Sequence, residues 1–460
     1  MTQPNILLII ADQHRTDSLG FMGRTPCQTP HIDRLAGQGV SFDRALSPCP
    51  LCTPARSSIF TGYFPHQTDM MTNGNTLHNP PVFTDLLREQ GYHTDYAGKW
   101  HLDDDILPDW FDRDAGSSTV EYSEWCAENG LPDGWAFNDY AVRTHREPQM
   151  SIPKAVEMDL EPANTNDAWI TDHCIRFIES RPKDKPFFTV CGFNGPHPPL
   201  KIPEPFFSMY EAGDIPQPPN FGPQAGEPAA LASSYYRALW NDHGDEWEAW
   251  KKSWAVYWGF VSLIDAQVGR LTACLESQGV LDDTLVIFCA DHGEMLGQHG
   301  LWHKMQAYEE SLRVPLVMRP PGGLDAGIRS QAGASLIDIM PTVLSTAGIT
   351  PPADMGGIDL TPAFHGSEET LDQERILFSE HKPLGEWHGA PEWRMVTDNQ
   401  HKYTWNCDDR DEMYDLAADP YEKHNLIDDP EKAEVVAGFR DSLRDWMEET
   451  NDPMMRNLDV

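Results

Sequence analysis

The segment Cys52-Thr53-Pro54-Ala55-Arg56, followed by Thr61-Gly62, contains residues whose types and spacing could support catalysis. A cysteine just before a helix that starts with proline would lie at the positive end of the helix dipole, where an anion is stabilised. Arg56 falls one helical turn further along the same face and could hold a charged oxygen. On these residues alone, a buried cysteine at a helix cap, with Arg56 in a structural ion pair, stays an open alternative.

Polar side chains also follow two short apolar runs. Asp12 and Gln13 come after residues 5–11, and Asp291-His292-Gly293 comes after residues 285–290. In open α/β sheets, ligands bind beyond the carboxyl ends of the strands. A carboxylate beside an imidazole suits a divalent cation, although an ordinary polar loop can have the same composition.

Two further segments, and the continuation of the Asp291 segment, contribute lysine and histidine. Lys99 and His101 lie in Gly98-Lys99-Trp100-His101, His197 lies in Gly195-Pro196-His197-Pro198-Pro199, and Lys304 follows Gly297, His299 and Gly300. A histidine in a proline-rich loop has few rotamers to lose, which suits a positioned acid, but each histidine taken singly also fits a structural role. Because most of the five segments follow a strand-like run, we expect them to meet at one edge of a sheet.

The elements that must position these residues alternate along the chain. Strand-like runs at 5–11, 187–192, 285–290 and 314–318 are separated by helical stretches that include 167–179, 250–276 and 336–347. This alternation predicts an α/β fold with a mostly parallel sheet flanked by helices.

The chain also divides into regions that differ in composition and in predicted secondary structure. Residues 103–152 and 203–245 are rich in Trp, Pro, Gly and acidic residues, which predicts irregular insertions at the rim of a site. Beyond about residue 370, short strand-like runs at 376–379, 393–397 and 402–405 precede an acidic helix near 431–448. We therefore predict a catalytic α/β domain over 1–370 and a small C-terminal α+β subdomain over 371–460, with an antiparallel sheet and a terminal helix.

Composition narrows the classes of function. The 460 residues include 72 acidic and 34 basic side chains, giving a net charge of −38. The electrostatic field of this negative charge repels nucleic acid and anionic membranes, although a large net charge can also serve only to keep a protein soluble. The nine cysteines are scattered, and the N-terminus has no basic region before a long apolar stretch. These features predict no signal peptide, no membrane span and a cytoplasmic protein.

In order and spacing, these motifs resemble the sulfatase family of the alkaline phosphatase superfamily over nearly the whole chain. The resemblance includes Cys52-x-Pro54-x-Arg56, Gly98-Lys99-x-His101, Pro196-His197 and Asp291-His292-Gly293 through Lys304. It extends to the C-terminal stretch Met413-Tyr414-Asp415-Leu416, with Asp419-Pro420 and Asn425-Leu426. Cys-x-Pro-x-Arg is the sequence recognised by the formylglycine-generating enzyme, which would act as a partner during maturation. The resemblance implies an alkaline-phosphatase-like sheet and hydrolysis of a small aryl or alkyl sulfate monoester.

The family's roles can be placed on matching positions. Cys52 becomes formylglycine, and a metal-bound hydroxyl of its hydrate attacks sulfur to form a covalent sulfo-enzyme. Asp12, Gln13, Cys52, Asp291 and His292 are the implied ligands of one divalent metal ion. Arg56, Lys99 and Lys304 would neutralise sulfate oxygens, His101 would hold or deprotonate the second hydroxyl, His197 would protonate the leaving group, and Asn73 would contact the transferred group.

One residue departs from the common pattern, and several alternatives stay open. Many relatives have a second aspartate where this chain has Gln13, which leaves the identity of the metal open. Calcium is the family's usual ion, and manganese or zinc are alternatives because His292 stands where relatives have an amide ligand. A phosphonate monoester or phosphodiester hydrolase on the same scaffold is the nearest rival, although Lys99-Trp100-His101 resembles sulfatases more. An inactive relative used as a binding module is a more distant rival, and a homo-oligomer formed through the insertions or the Met454-Met455 tail stays open.

Overall fold

A computed structural model describes residues 3–75, 77, 82–102, 110–116, 119–132, 155–234, 237, 246–365, 371, 374–383 and 391–458. Parts of the two predicted insertions lie outside these residues, namely 103–109, 117–118 and 133–152 of the first and 235–236 and 238–245 of the second. The strands are β1 (Asn5–Asp12), β2 (Val40–Leu46), β3 (His93–Gly98), β4 (Arg113–Asp114), β5 (Val156–Glu157), β6 (Phe187–Pro196), β7 (Lys201–Ile202), β8 (Thr284–Ala290), β9 (Leu316–Arg319), β10 (Ile328–Ser335), β11 (Leu377–His381), β12 (Trp393–Thr397), β13 (His401–Asn406) and β14 (Glu412–Asp415).

The helices alternate with these strands through most of the chain. They are α1 (Pro30–Gly37), α2 (Cys52–Thr61), α3 (Phe83–Glu89), α4 (Thr119–Glu128), α5 (Asn166–Glu179), α6 (Ala229–Ser233), α7 (Trp247–Ser277), α8 (Glu309–Leu312), α9 (Ile339–Thr346), α10 (Ala433–Glu449) and α11 (Met455–Leu458). No helix in the described part of the chain is long and apolar enough to span a membrane.

The large sheet has eight strands in the order β10-β2-β9-β8-β1-β6-β3-β4. All its described pairings are parallel except those of β9, which runs antiparallel to β2 and β8. Seven of the eight residues of β1, with sequence NILLIIAD, are buried, as expected for a central strand covered on both faces. The predicted mostly parallel α/β sheet is confirmed.

Sequence pattern misses three strands of this sheet: β4, which has only two residues, and the longer strands β2 and β10. Polar residues interrupt both strands, with sequences VSFDRAL and IRSQAGAS. β10 lies at the sheet edge, where one side of a strand faces solvent and the apolar pattern is weak. The helices form two packed groups, α1 with α5 and α7, and α2 with α3 and α9.

A second sheet of four antiparallel strands, β11 to β14, follows in the C-terminal part of the chain. Helix α10 packs on β12 and buries Phe439, Leu443 and Trp446 against the sheet. The predicted antiparallel sheet with a terminal helix is confirmed. The exact division at residue 370 stays a prediction.

Candidate active site

The central strands bring the predicted residues to one edge of the large sheet. β8, β1, β6 and β3 are neighbours that run in the same direction. Asp12 ends β1, Asp291 and His292 follow β8, and Lys99 follows β3. His197 follows β6, so four strand ends supply the site that the sequence places at this edge.

Helix α2 adds the fifth component. It begins at Cys52, rather than at Pro54 as the sequence analysis expects, with Leu51 in the N-cap position. Proline fits within the first turn because the N–H groups there have no partner inside the helix. Asn73 Oδ1 accepts the Thr53 N–H, 3.2 Å away, and so caps this turn beside Cys52.

Cys52 is buried among the predicted metal ligands. Its Sγ lies 3.2 Å from His292 Nε2 and 3.9 Å from Asp12 Oδ1. His292 Nε2 is in turn 3.8 Å from Asp12 Oδ1 and 3.6 Å from Asp291 Oδ1. Donor atoms of these four residues lie within 4.8 Å of one another. The cluster has the donor types and the compactness of a metal site.

His292 has the orientation of a metal ligand. Its Nδ1 lies 3.0 Å from the Gly293 carbonyl oxygen, an acceptor for the Nδ1 proton, which leaves Nε2 directed at Cys52 and Asp12. A metal-binding histidine usually donates its other ring N–H in this way. Gly293 cannot be replaced without movement, since an added Cβ would lie 2.0 Å from the Glu310 carbonyl oxygen.

Arg56 joins the two aspartates. Its Nε lies 3.0 Å from Asp291 Oδ2, its Nη2 lies 3.4 Å from Asp12 Oδ2, and its Nη1 donates to the Lys99 carbonyl oxygen at 2.7 Å. The side chain is fully buried. Cys52 and Arg56 therefore share one helix face, as their spacing predicts, and Arg56 holds the carboxylates in place. Its predicted contact with sulfate oxygens stays a prediction.

Gln13 has a backbone conformation that is unusual outside glycine, with φ of 65°. The Tyr257 hydroxyl donates to its carbonyl oxygen at 2.7 Å and holds this turn. The side chain bridges two charged groups, because Lys304 Nζ donates to Oε1 at 2.6 Å while Nε2 donates to a carboxylate oxygen of Glu294. Its role as a metal ligand stays a prediction.

Glu294 is a site residue that the sequence analysis misses. It is fully buried, and its Oε1 accepts the N–H groups of Leu296 and His303 at 3.0 and 2.8 Å. Burial raises its pKa to about 7. The available signal is its position directly after Asp291-His292-Gly293.

Asp167, at the start of α5, is a second missed residue. Its Oδ1 accepts the N–H groups of Asn194 and Gly195, 2.9 and 3.1 Å away. These bonds fix the chain just before His197, whose Nδ1 lies 2.6 Å from the Pro198 carbonyl oxygen. Helix α5 lies far from this loop in sequence, so no local pattern reveals the contact.

The remaining predicted residues lie around this centre. Lys99 Nζ forms an ion pair with Asp12 Oδ2, and its side chain is 13% exposed. The His101 carbonyl oxygen accepts the Thr53 hydroxyl at 2.6 Å, while its side chain is exposed. All predicted residues thus lie in or beside one site, and their individual roles stay predictions.

Basic groups in the site lower the pKa values of Asp12 and Cys52. Burial opposes ionisation of Asp12, but the charges of Lys99, His197 and other basic groups hold its pKa well below the usual range. Burial and Asp12 also oppose ionisation of Cys52, yet the pKa of its thiol is well below normal because Lys304, Lys99 and His292 outweigh them. The cluster therefore favours an anion at position 52.

Comparisons with known proteins agree with this geometry. The sulfatase family model matches residues 4–349, and the model for the C-terminal region of N-sulphoglucosamine sulphohydrolase matches residues 297–449. An arylsulfatase of Clostridium perfringens is 29% identical over 470 residues, covering 96% of this chain and 94% of its own.

Two solved structures have similar folds. The phosphonate monoester hydrolase of Agrobacterium radiobacter superposes with a TM-score of 0.80 and 25% identity, covering 97% of this chain and 96% of its own. BT4656 in complex with its substrate D-glucosamine-2-N,6-O-disulfate superposes with a TM-score of 0.79 and 23% identity, covering 98% of this chain and 99% of its own. The chain belongs to the sulfatase family of the alkaline phosphatase superfamily, and it is a sulfuric ester hydrolase.

Proposed function

We propose that the chain hydrolyses an aryl or alkyl sulfate monoester with a formylglycine nucleophile derived from Cys52. The observation that carries this proposal is the position of Cys52 at the first residue of α2, with Sγ 3.2 Å from His292 and 3.9 Å from Asp12. The hydrated aldehyde supplies one hydroxyl to attack sulfur and a second that allows the sulfate to leave by C–O cleavage. An unmodified cysteine or serine lacks the second hydroxyl.

The residues at this centre fit a divalent metal ion. Asp12, Asp291 and His292 supply two carboxylates and one imidazole, and all three are fully buried. A metal bound there lowers the pKa of a coordinated hydroxyl and makes it nucleophilic at neutral pH. Calcium is expected from the family, while the imidazole of His292 supports manganese or zinc as alternatives.

In this proposal Lys99 and Lys304 stabilise the negative charge of the sulfate group. Lys99 Nζ lies beside Asp12, and Lys304 Nζ is fixed by Gln13, whose other end contacts Glu294. Fixed cations in a site that excludes water stabilise charge more strongly than they do in bulk solvent. Glu294 therefore acts on the reaction through the position of Lys304.

In this proposal His197 protonates the leaving group. The Pro198 carbonyl oxygen is positioned to hold the Nδ1 proton, so the proton in transit is carried by Nε2. Burial and the charge of Lys304 lower the pKa of His197 well below its usual range. A bound sulfate ester adds negative charge and raises this pKa again. His101, joined through its carbonyl oxygen to Thr53, would hold the second hydroxyl, and Asn73 would contact the transferred group.

A phosphonate or phosphodiester hydrolase is the second candidate, because the phosphonate monoester hydrolase of Agrobacterium radiobacter has the same fold. Both kinds of substrate are monoanions at neutral pH, and they differ in the central atom and in the organic substituent that phosphorus carries in place of one sulfate oxygen. The Lys99-Trp100-His101 sequence supports the sulfatase, since it resembles sulfatases more than phosphonate hydrolases.

Catalytic efficiency with p-nitrophenyl sulfate, compared with that on phenyl phosphonate esters, tests the choice. We expect a higher kcat/KM for the sulfate, and a clear preference for the phosphonate would overturn the assignment. The nucleophile is tested by the mass of the peptide that contains Cys52 after co-expression with a formylglycine-generating enzyme. Conversion replaces sulfur by oxygen and removes two hydrogens, whereas Cys407, which is partly exposed, serves as the unmodified control.

The proposal includes a small-molecule substrate and maturation by the formylglycine-generating enzyme in the cytoplasm. The net charge of −38 supports a role without nucleic acid or anionic membranes as partners.

A further inference from the structure

A second group of metal-type donors lies outside the active site. A ring nitrogen of His299 and one carboxylate oxygen each of Glu310 and Glu422 lie within 4.8 Å of one another. The three residues are 0%, 8% and 1% exposed. His299 belongs to the loop after β8, Glu310 belongs to α8, and Glu422 follows β14. The group therefore joins the large sheet to the C-terminal sheet.

Two polar atoms of this group have no hydrogen-bond partner among the described residues, namely Nε2 of His299 and Oε2 of Glu310. The contact of His299 Nδ1 with Glu227 Oε1 is long, at 3.4 Å. The other oxygen of Glu310 accepts the side-chain amides of Asn220 and Gln298, 2.9 and 2.6 Å away. Buried polar atoms are nearly always paired because burial without a partner is costly. Their convergence indicates that something binds between them.

The neighbouring charges leave Glu310 without an ion-pair partner among the described residues. The adjacent carboxylates pair as follows: Glu227 with Arg237, Glu309 with Arg313 and Lys402, and Glu422 with Lys402. The hydrogen bonds of Glu310 come only from neutral amides. The group is thus short of positive charge.

The histidine is held in the orientation that a metal ligand needs. Its Nδ1 lies 3.4 Å from Glu227 Oε1, which leaves Nε2 as the nitrogen without an acceptor. The ring stacks on Tyr308 with centroids 3.8 Å apart and an angle of 10°. A carboxylate behind a metal-binding imidazole fixes its tautomer and raises its basicity.

A cavity reaches one residue of this group. A cavity of about 800 Å³ between the large sheet and the C-terminal unit is lined by Arg15, Gln298, Glu310 and Tyr421, among others. Glu310 thus lines the cavity and also belongs to the donor group. The Cys52 site does not line this cavity.

We infer that His299, Glu310 and Glu422 bind a second divalent cation of the zinc or manganese class. One imidazole and two carboxylates suit these ions better than magnesium or calcium, which prefer oxygen alone. The ion would balance Glu310 and tie the loop that carries Lys304 to the C-terminal unit. The alternative is that His299 is protonated and no metal is bound, and the experiment must distinguish this state from the metal-bound one.

Metal content per chain, measured by mass spectrometry after loading with zinc or manganese and dialysis, tests the inference. The wild type is expected to keep two ions, Glu310→Gln one, Asp12→Asn one and the double variant none. Glu309→Gln is the matched control, since Glu309 lies in the same helix but outside the donor group, and it should keep two.

Equal metal content in the wild type and Glu310→Gln would overturn the inference and leave a protonated His299 as the balancing charge. Another outcome is that the wild type binds one ion, which Asp12→Asn keeps and Glu310→Gln loses. This outcome would support the second site and would contradict the role of a metal in the proposed mechanism. If Glu310→Gln does not fold, the melting temperature of Asp12→Asn gives a second readout. Zinc or manganese should raise it, and this rise should disappear when His299→Gln is added. No rise in Asp12→Asn would also overturn the inference.

Discussion

Replacement of Arg56 by methionine tests whether this arginine holds the metal-binding carboxylates in place. The side chain is fully buried, and its three contacts connect Asp291, Asp12 and the Lys99 carbonyl oxygen at 3.0, 3.4 and 2.7 Å. Methionine preserves much of the apolar volume but leaves two buried carboxylates without this cation. The variant should therefore be destabilised most when no metal is bound.

The magnitude follows from the contacts. Hydrogen bonds that involve a charged group contribute about 1.5–3 kcal/mol each, and removal of one partner from a buried ion pair costs about 3–5 kcal/mol. We expect Arg56→Met to lower the free energy of unfolding of the metal-free protein by about 4 kcal/mol. A bound divalent ion compensates the same carboxylates, so the loss in the metal-loaded protein should be smaller.

Urea unfolding, followed with and without metal, gives both values. Arg34→Met is the matched control, because Arg34 forms an ion pair with Glu276 while its side chain is 53% exposed. An exposed pair contributes about 0–1 kcal/mol. A loss below about 1 kcal/mol for metal-free Arg56→Met, or a larger loss with metal than without it, would refute the reasoning.

Three further predictions follow from other parts of the molecule. Asp167→Ala removes the acceptor for two N–H groups just before His197. Because p-nitrophenyl sulfate needs little acid assistance, kcat should fall more for alkyl sulfates than for this substrate. Equal losses of kcat on both substrates would contradict a role of Asp167 through His197. Treatment with a chelator should abolish sulfatase activity and added divalent metal should restore it, with recovery by calcium, manganese and zinc compared in parallel; activity that survives complete metal removal would contradict the proposal. Burial opposes a charge on His66, but Glu380, 2.9 Å away, raises the pKa of this histidine above the unfolded value of about 6.5. The His66–Glu380 ion pair therefore contributes its full stability below that pH, and this stability is lost as the pH rises through the folded pKa. The difference in unfolding free energy between wild type and His66→Gln should therefore be largest near pH 5.5 and shrink by pH 8.5, and a difference that grows with pH would show that the sign is wrong.

The sequence alone determines the main elements and the chemistry of the site. β1 is a continuous apolar run that ends in Asp12, and β8 is a similar run that Asp291 follows directly. Such runs can be identified from sequence because strands buried on both faces have no alternation of polar and apolar residues. The spacing of Cys52 and Arg56 is local, so one helical turn suffices to place them on the same face. Strand ends and helix faces are properties of short segments, which sequence patterns describe well.

Only the tertiary structure shows what Gln13, Glu294 and Asp167 contact. Gln13 joins Lys304 to Glu294, and Asp167 holds the loop before His197, over separations of up to 291 residues. The order of strands in the sheet, and the antiparallel direction of β9, likewise depend on pairings between distant segments. Side chains brought together by such pairings have no shared local pattern, so periodicity and spacing cannot identify them. The sequence thus determines which groups are available for the chemistry, and the packing of the sheet and helices decides which of them touch.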